Sequence, residues 1–200
     1  MAVGPGALFS AGGWRCRAGS SLTCGGLSGP GGCHEAVYAQ AAHCHDGGTS
    51  QAELLKDEDV VRHIQAGALV PLNVGGDGAF GVLVRSGTAD APARLTERET
   101  AHQLVASQPY LFVSRGRALV GGIEDVSADG SDDVIECPVP EGRHAVIVHL
   151  IDWQAEPGSQ DEDGRPVPGA LPDFVVLINP ARPSQEAYRT AVQTFEAPSG

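Results

Sequence analysis

His144-Ala145-Val146-Ile147-Val148-His149-Leu150-Ile151-Asp152-Trp153 is the stretch that decides how this chain folds. Side chains alternate across a strand, so Ala145, Ile147, His149, Ile151 and Trp153 share one face, and Val146, Val148 and Leu150 the other. Both faces are apolar, which predicts a central strand covered on both sides. The turn Pro140-Glu141-Gly142-Arg143 is expected to introduce it. A second apolar run, Phe174-Val175-Val176-Leu177-Ile178, stops at Asn179-Pro180 and reads as the last strand. Between the two, residues 154–172 hold Asp161-Glu162-Asp163 with Pro166, Pro168 and Pro172, a loop too polar and proline-rich to pack.

Toward the N-terminus the texture stays β. Ala68-Leu69-Val70-Pro71-Leu72-Asn73-Val74 and Ala79-Phe80-Gly81-Val82-Leu83-Val84-Arg85 flank Gly75-Gly76-Asp77-Gly78, whose glycines supply the positive φ of a hairpin turn. Tyr110-Leu111-Phe112-Val113 and Ala118-Leu119-Val120 flank Ser114-Arg115-Gly116-Arg117, a second expected hairpin. Ser50-Gln51-Ala52-Glu53 has the form of a capping box. It predicts a short helix carrying Leu54, Leu55, Val61 and Ile64 to Gly67, its apolar face interrupted at Asp57 to Asp59. Thr96-Glu97-Arg98-Glu99 repeats the box, and Ala101, Leu104 and Val105 extend it to two or three turns. Short strands between glycine and proline turns predict a mainly β fold. The expected form is an antiparallel β-sandwich or jelly roll with two or three short peripheral helices.

Pro138-Val139-Pro140-Glu141-Gly142-Arg143-His144-Ala145-Val146-Ile147-Val148-His149 resembles a family of uncharacterised bacterial β-rich proteins, together with the Gly76-Asp77-Gly78-Ala79-Phe80 turn and the closing Asp173-Phe174-Val175-Val176-Leu177. More distantly it resembles the jelly-roll proteins of the competence protein J type, in which a Pro-Pro-Gly-Arg-Tyr-like turn opens an alternating strand. The resemblance covers residues 68–180. Glu141 and His144 stand where a proline and an aromatic are usual. It implies a binding or inhibitory role toward a nuclease partner, and it carries over no catalytic residue.

The 200 residues suit one domain with some spare chain. Residues 1–50 hold 12 of the 27 glycines and four of the five cysteines, and their Arg15, Arg17, Glu35 and Asp46 cancel. Glycine makes ordering entropically costly, and no apolar period of any length is present, so this part is expected to be a disordered leader. The single Lys, Lys56, against 12 Arg suggests a GC-rich coding sequence, in which residues 1–50 would be an over-extended start. Residues 51–200 form the expected acidic domain and carry the entire net charge of -12. That balance excludes a phosphate-binding surface, hence nucleic acid as a partner. Neither a secretory signal nor a long apolar run is read, so a cytoplasmic protein without a membrane span is expected.

Cys33-His34 and His43-Cys44-His45 put Zn²⁺-type ligands close together, but the tetrahedral signature is only half met, and an incidental cluster is the plainer reading. Cys137 beside Pro138 reads as a buried thiol, and His149 as a hydrogen-bonded core histidine. His149 and Asp152 fall on opposite faces, no Gly-x-Ser-x-Gly elbow occurs, and Gly75 to Gly78 joins two strands without a following Gly-Lys-Ser, so neither a triad nor a phosphate loop assembles. Asp132, Asp133 and Glu136, with Asp161, Glu162 and Asp163, are solvated loop carboxylates that raise the encounter rate with a basic protein. The expected function is a non-catalytic acidic binding module, without cofactor, inhibiting a basic bacterial protein such as a nuclease in the manner of an immunity protein. The alternative is a metal- or Cys/His-dependent enzyme on the same scaffold, using Cys137, His149 or the carboxylates of the 125–136 loop.

Overall fold

A computed structural model describes residues 57–74, 80–121, 135–183 and 187–196, and the backbone of 15–16, 22–25 and 37–41. The strands are β1 Arg15–Cys16, β2 Leu22–Gly25, β3 Val37–Ala41, β4 Leu69–Val74, β5 Val82–Ser86, β6 Gln103–Ala106, β7 Tyr110–Gly121, β8 Ile135–Ile151, β9 Phe174–Pro180 and β10 Thr194–Phe195. The helices are α1 Asp57–Ala66 and α2 Glu97–Ala101. The fold is mainly β, as the alternation predicts. Its strands follow one path, β1-β2-β5-β9-β8-β7-β3-β4-β10, with β6 beside β8. Two of its pairings, β5 with β9 and β10 with β4, are parallel, so the expected purely antiparallel sheets are not what forms.

The decisive strand runs further than its sequence signal. β8 continues back through Pro140-Glu141-Gly142-Arg143 to Ile135, and β7 continues through Ser114-Arg115-Gly116-Arg117 to Gly121. The two pair antiparallel over that length, from Tyr110 opposite Val146 to Val120 opposite Ile135, with a register shift between Ser114 and Gly116. Neither segment is the turn its residues suggest. Gly116 has φ +102° and Gly142 φ +129°, a left-handed backbone that serves a bulge as well as a turn. Ser114 Oγ donates to the Val139 carbonyl at 2.9 Å and accepts from the Gly116 amide at 3.1 Å, while His144 Nε2 donates to the Pro140 carbonyl at 2.8 Å. These bonds fix a corner, and beyond it the ladder resumes.

The corner folds the strand path into two sheets. Past it, β9 pairs with β8 over His144 to Leu150, and β5 with β9. Before it, β7 pairs with β3 and β3 with β4. The expected β4–β5 hairpin does not form, because each strand finds its neighbours elsewhere; residues 75–79 lie outside the described residues. Val70 and Leu72 of β4, Val82 and Val84 of β5, and Val176 and Ile178 of β9 line one interior cavity of about 20 Å³. Its wall is apolar, so a water there would find no partner. Phe174, fully buried, meets Phe80 and Phe195 edge to face at 5.9 and 5.7 Å.

A second, thinner layer covers the other face of β8. Leu83, Ile151, Leu171, Val175 and Leu177 pack there with Ala93, Leu95 and Trp153. The central strand is therefore covered on both sides. Residues 154–172, read as unable to pack, contribute Leu171 at 7% exposure and Ser159 at 3%. Proline and charge limit how much they bury; they do not prevent Leu171 from docking on the outer layer.

α1 begins at Asp57, so Asp57, Glu58 and Asp59 form its first turn, where carboxylates favour the positive end of the helix dipole. They do not interrupt it. Val60 and Ile64, one turn apart, are its buried residues. It ends at Gly67, φ +73°, where a Cβ would lie 2.8 Å from Val113 Cγ2. Of the expected leader, β2 and β3 pair with strands of the later part of the chain and β1 pairs with β2; its remainder, with the Ser50 capping box, lies outside the described residues. No helix among the described residues is long and apolar enough to cross a membrane.

Candidate functional site

Where β5 ends and α2 begins, the outer face of the sheet holds a buried polar group. Thr96 caps α2 through a reciprocal box: its hydroxyl accepts from the Glu99 amide, and Glu99 Oε2 accepts from the Thr96 amide at 2.8 Å. That box aims Glu99 at the sheet, where Arg85 Nη1 and Nη2 donate to its two oxygens at 2.6 and 2.5 Å. Glu99 is 2% exposed. Burial alone would raise its carboxyl, but the guanidinium and the Thr96 amide outweigh burial and hold it below the ordinary value. α2 is shorter than the two or three turns expected, because Leu104 and Val105 go into β6.

His149 lies on the same face, opposite Val175 of β9, with Nδ1 3.0 Å from Gln103 Oε1. Its Nε2 is buried without a hydrogen-bond partner. Burial lowers its pKa, and the nearby Glu99 charge offsets part of that. A third tie is the half-buried Asp173, whose carboxylate accepts from Trp153 Nε1 at 2.7 Å and from the Gly81 amide at 2.6 Å. Burial pushes its pKa up against those two bonds. Arg98 binds Glu156 and the Gly169 carbonyl, strapping α2 to the long loop.

The residues singled out in the sequence fall in several places. Cys33, His34, His43, Cys44, His45, Asp132 and Asp133 lie outside the described residues. Glu136 is exposed at the start of β8 and pairs with Arg117 at 2.8 Å. Asp161, Glu162 and Asp163 are exposed beyond the opposite end of β8, so Glu136 is not part of their cluster. Asp161 Oδ1 accepts from the Asp163 and Arg165 amides at 2.9 and 2.8 Å, which folds the run into a tight turn. Cys137, 1% exposed, faces the inner core, whereas His149 faces the outer layer near the other end of the strand. A site that used both would need them together, and the fold keeps these two apart. Among the described residues no group of three His, Cys, Asp or Glu could hold a metal ion.

No family model matches the chain, and no curated protein matches it. The fold itself has a known counterpart. A solved structure described as crocagin biosynthetic gene J is similar, with a TM-score of 0.51 and 16% identity, over 81% of this chain and 96% of that one. At that identity the likeness concerns the fold alone. It does not bear out a relation to the competence protein J type, whose resemblance rested on Pro140 to Arg143 as a turn; those residues run on inside β8.

The Arg85–Glu99 pair is the feature that sequence reading missed. A signal existed: Arg85 is the charge near the end of an otherwise apolar strand, and Glu99 is the last residue of a capping box, a position turned back toward the chain preceding the helix.

Proposed function

We propose that the chain is a non-catalytic binding module on a β-sandwich-like scaffold, working in the cytoplasm, whose acidic surface takes a basic protein and blocks it. A bacterial nuclease is the kind of partner meant. The observation that carries this reading is the net charge of -12, all of it in residues 51–200, with Asp161, Glu162 and Asp163 presented to solvent on one turn. Clustered charge of one sign steers an oppositely charged partner and speeds association. Glu99 and Asp173 are engaged in holding the outer layer in place. The likeness to a protein named for crocagin biosynthesis adds the scaffold and no activity.

The test is titration of the purified chain against a panel of basic bacterial nucleases, read as heat of binding and as nuclease activity. The expected result is inhibition by at least one, with affinity falling as salt rises, and with loss of binding in the Asp161→Lys/Glu162→Lys/Asp163→Lys variant. Binding indifferent to salt and to these substitutions would contradict the reading, as would no binding to any member at low salt.

A further inference from the structure

Among the described side chains, Arg62, Arg85, Arg98, Arg117 and Arg165 each hold a carboxylate. Arg94, Arg115, Arg143, Arg182 and Arg189 hold none; Arg189 is half-buried, its guanidinium donating to the Ala191 and Val192 carbonyls, and the other four are exposed. In a chain with 25 acidic residues against 13 basic ones, arginines without a carboxylate are the unexpected class, and three of the five, Arg115, Arg143 and Arg182, come together at the corner of the sheets.

Their placement follows from the backbone. Arg143 lies opposite Val113 in the β7–β8 ladder, two residues before Arg115 in the bulge. On the other side of β8 the Ala181 amide donates to the Arg143 carbonyl at 2.9 Å, which sets Arg182 beside it. The three arginines thus step across three neighbouring chain segments, with strands spaced about 4.8 Å apart. Nothing lies within 4 Å of a Cβ built on Gly116 or Gly142, so the corner is open. Glu141 and Asp90 also lie at this end of the sheet, both exposed and neither paired with any of the three.

We infer that this corner is a second docking surface, of opposite sign to the first, and that it takes a short acidic peptide segment of another protein. Guanidinium groups hold carboxylates two-pronged, and three of them spread over one corner suit a run of Asp and Glu side chains. A long polyanion is excluded by the rest of the chain. Charges further than a Debye length of about 8–10 Å are screened, so the corner acts on what touches it, whereas an extended nucleic acid would run onto the acidic surface beyond. The corner and the Asp161 turn lie at opposite ends of the β8–β9 pair, so this surface is independent of the proposed basic-partner site.

The probe is a short labelled Asp/Glu peptide, followed by fluorescence anisotropy, with inorganic phosphate and a short single-stranded DNA as comparisons. The peptide is expected to bind at low salt and to bind about tenfold or more weakly to the Arg143→Glu/Arg182→Glu variant. Arg62→Glu/Arg165→Glu, which makes the same change of net charge elsewhere, is expected to leave binding within about twofold. Unchanged circular dichroism and melting of both variants excludes loss of the fold as the cause. The inference is overturned if the peptide does not bind, if both variants lose it equally, or if phosphate or DNA binds as well as the peptide. Asp161→Lys/Glu162→Lys/Asp163→Lys should leave peptide binding intact, which separates failure here from failure of the proposed function.

Discussion

The two faces of β8 are held by different physics. The inner face meets a wall of Val, Leu, Ile and Phe drawn from both sheets, with Tyr110, Phe112 and Phe174 completely buried. Among the described residues the outer cluster holds five buried apolar side chains, Ile151 of β8 itself included, and the layer over that face is pinned by polar ties: Arg85 to Glu99, Asp173 to Trp153 and Gly81, and Asn179 to Ala93. Apolar burial is non-directional and adds up over area, so it makes the inner layer cohesive. Hydrogen bonds and ion pairs are directional, so each fixes the place of one loop while adding little area. The same strand therefore carries a core on one side and a set of anchors on the other.

Substitutions can break that contrast, beginning with the largest effect. Phe174→Ala deletes a fully buried ring packed between Phe80 and Phe195 and is expected to lower unfolding free energy by about 3–5 kcal/mol in denaturant titration. A loss near 1 kcal/mol would show that the inner layer is loosely packed. Glu99→Gln strips the charge from the buried pair and leaves Arg85 facing a neutral amide. The expected loss is about 2–3 kcal/mol, under the fully buried range because the Arg85 side chain is 16% exposed. Proteolysis should then begin within residues 88–96 or 154–172 before the inner strands are cut.

Acidification sharpens the same comparison, because the titrating groups at issue sit in the outer layer. His149 has its pKa lowered by burial, so its neutral form favours the folded state. That contribution is complete above the ordinary value of about 6.5 and is lost as pH falls below it toward the lowered folded-state value. Glu99, also lowered, contributes above the ordinary carboxylate value of about 4.3 and loses that contribution as pH falls through its folded-state value. The denaturation midpoint should drop in these two windows, the lower drop being offset in part by Asp173, whose raised pKa adds stability as pH falls through its folded-state value, and His149→Gln should flatten the upper one while leaving the lower. Smaller again, Thr96→Ala removes the cap of α2 and should cost about 1 kcal/mol by thermal melting. Smallest is Arg117→Ala, whose pair with Glu136 is half-exposed at both ends and should change stability by less than about 0.5 kcal/mol.

The sequence shows where its apolar pattern is strong and misleads where only turn chemistry speaks. The alternation from His144 to Trp153 yields the central strand, its two covered faces and the core role of His149. The Thr96 box yields the start of α2 to the residue. Ser114 to Arg117 and Pro140 to Arg143 mislead together, since a glycine at positive φ suits a reversal and a bulge equally, and only the pairing of the flanks with each other decides. The prolines have a reason that emerges only with the pairing. Pro138 and Pro140 lie on the part of β8 that β9 does not reach, and a proline presents no amide to an intruding strand. The β4–β5 hairpin fails for a similar cause: Gly75 to Gly78 permit it, but partners remote in sequence compete successfully for both strands. Arg85 and Glu99 were legible as a strand end and a cap, and their union depends on where α2 settles on the sheet.

Native-state hydrogen exchange, followed amide by amide in the wild type and in Glu99→Gln, tests the two-layer account most directly. The account predicts that β7, β8 and β9 amides exchange only through global unfolding, while α2 and residues 154–172 exchange through local openings that become easier when Glu99 loses its charge. Equal protection in both layers, or a Glu99→Gln effect spread evenly over all strands, would contradict it.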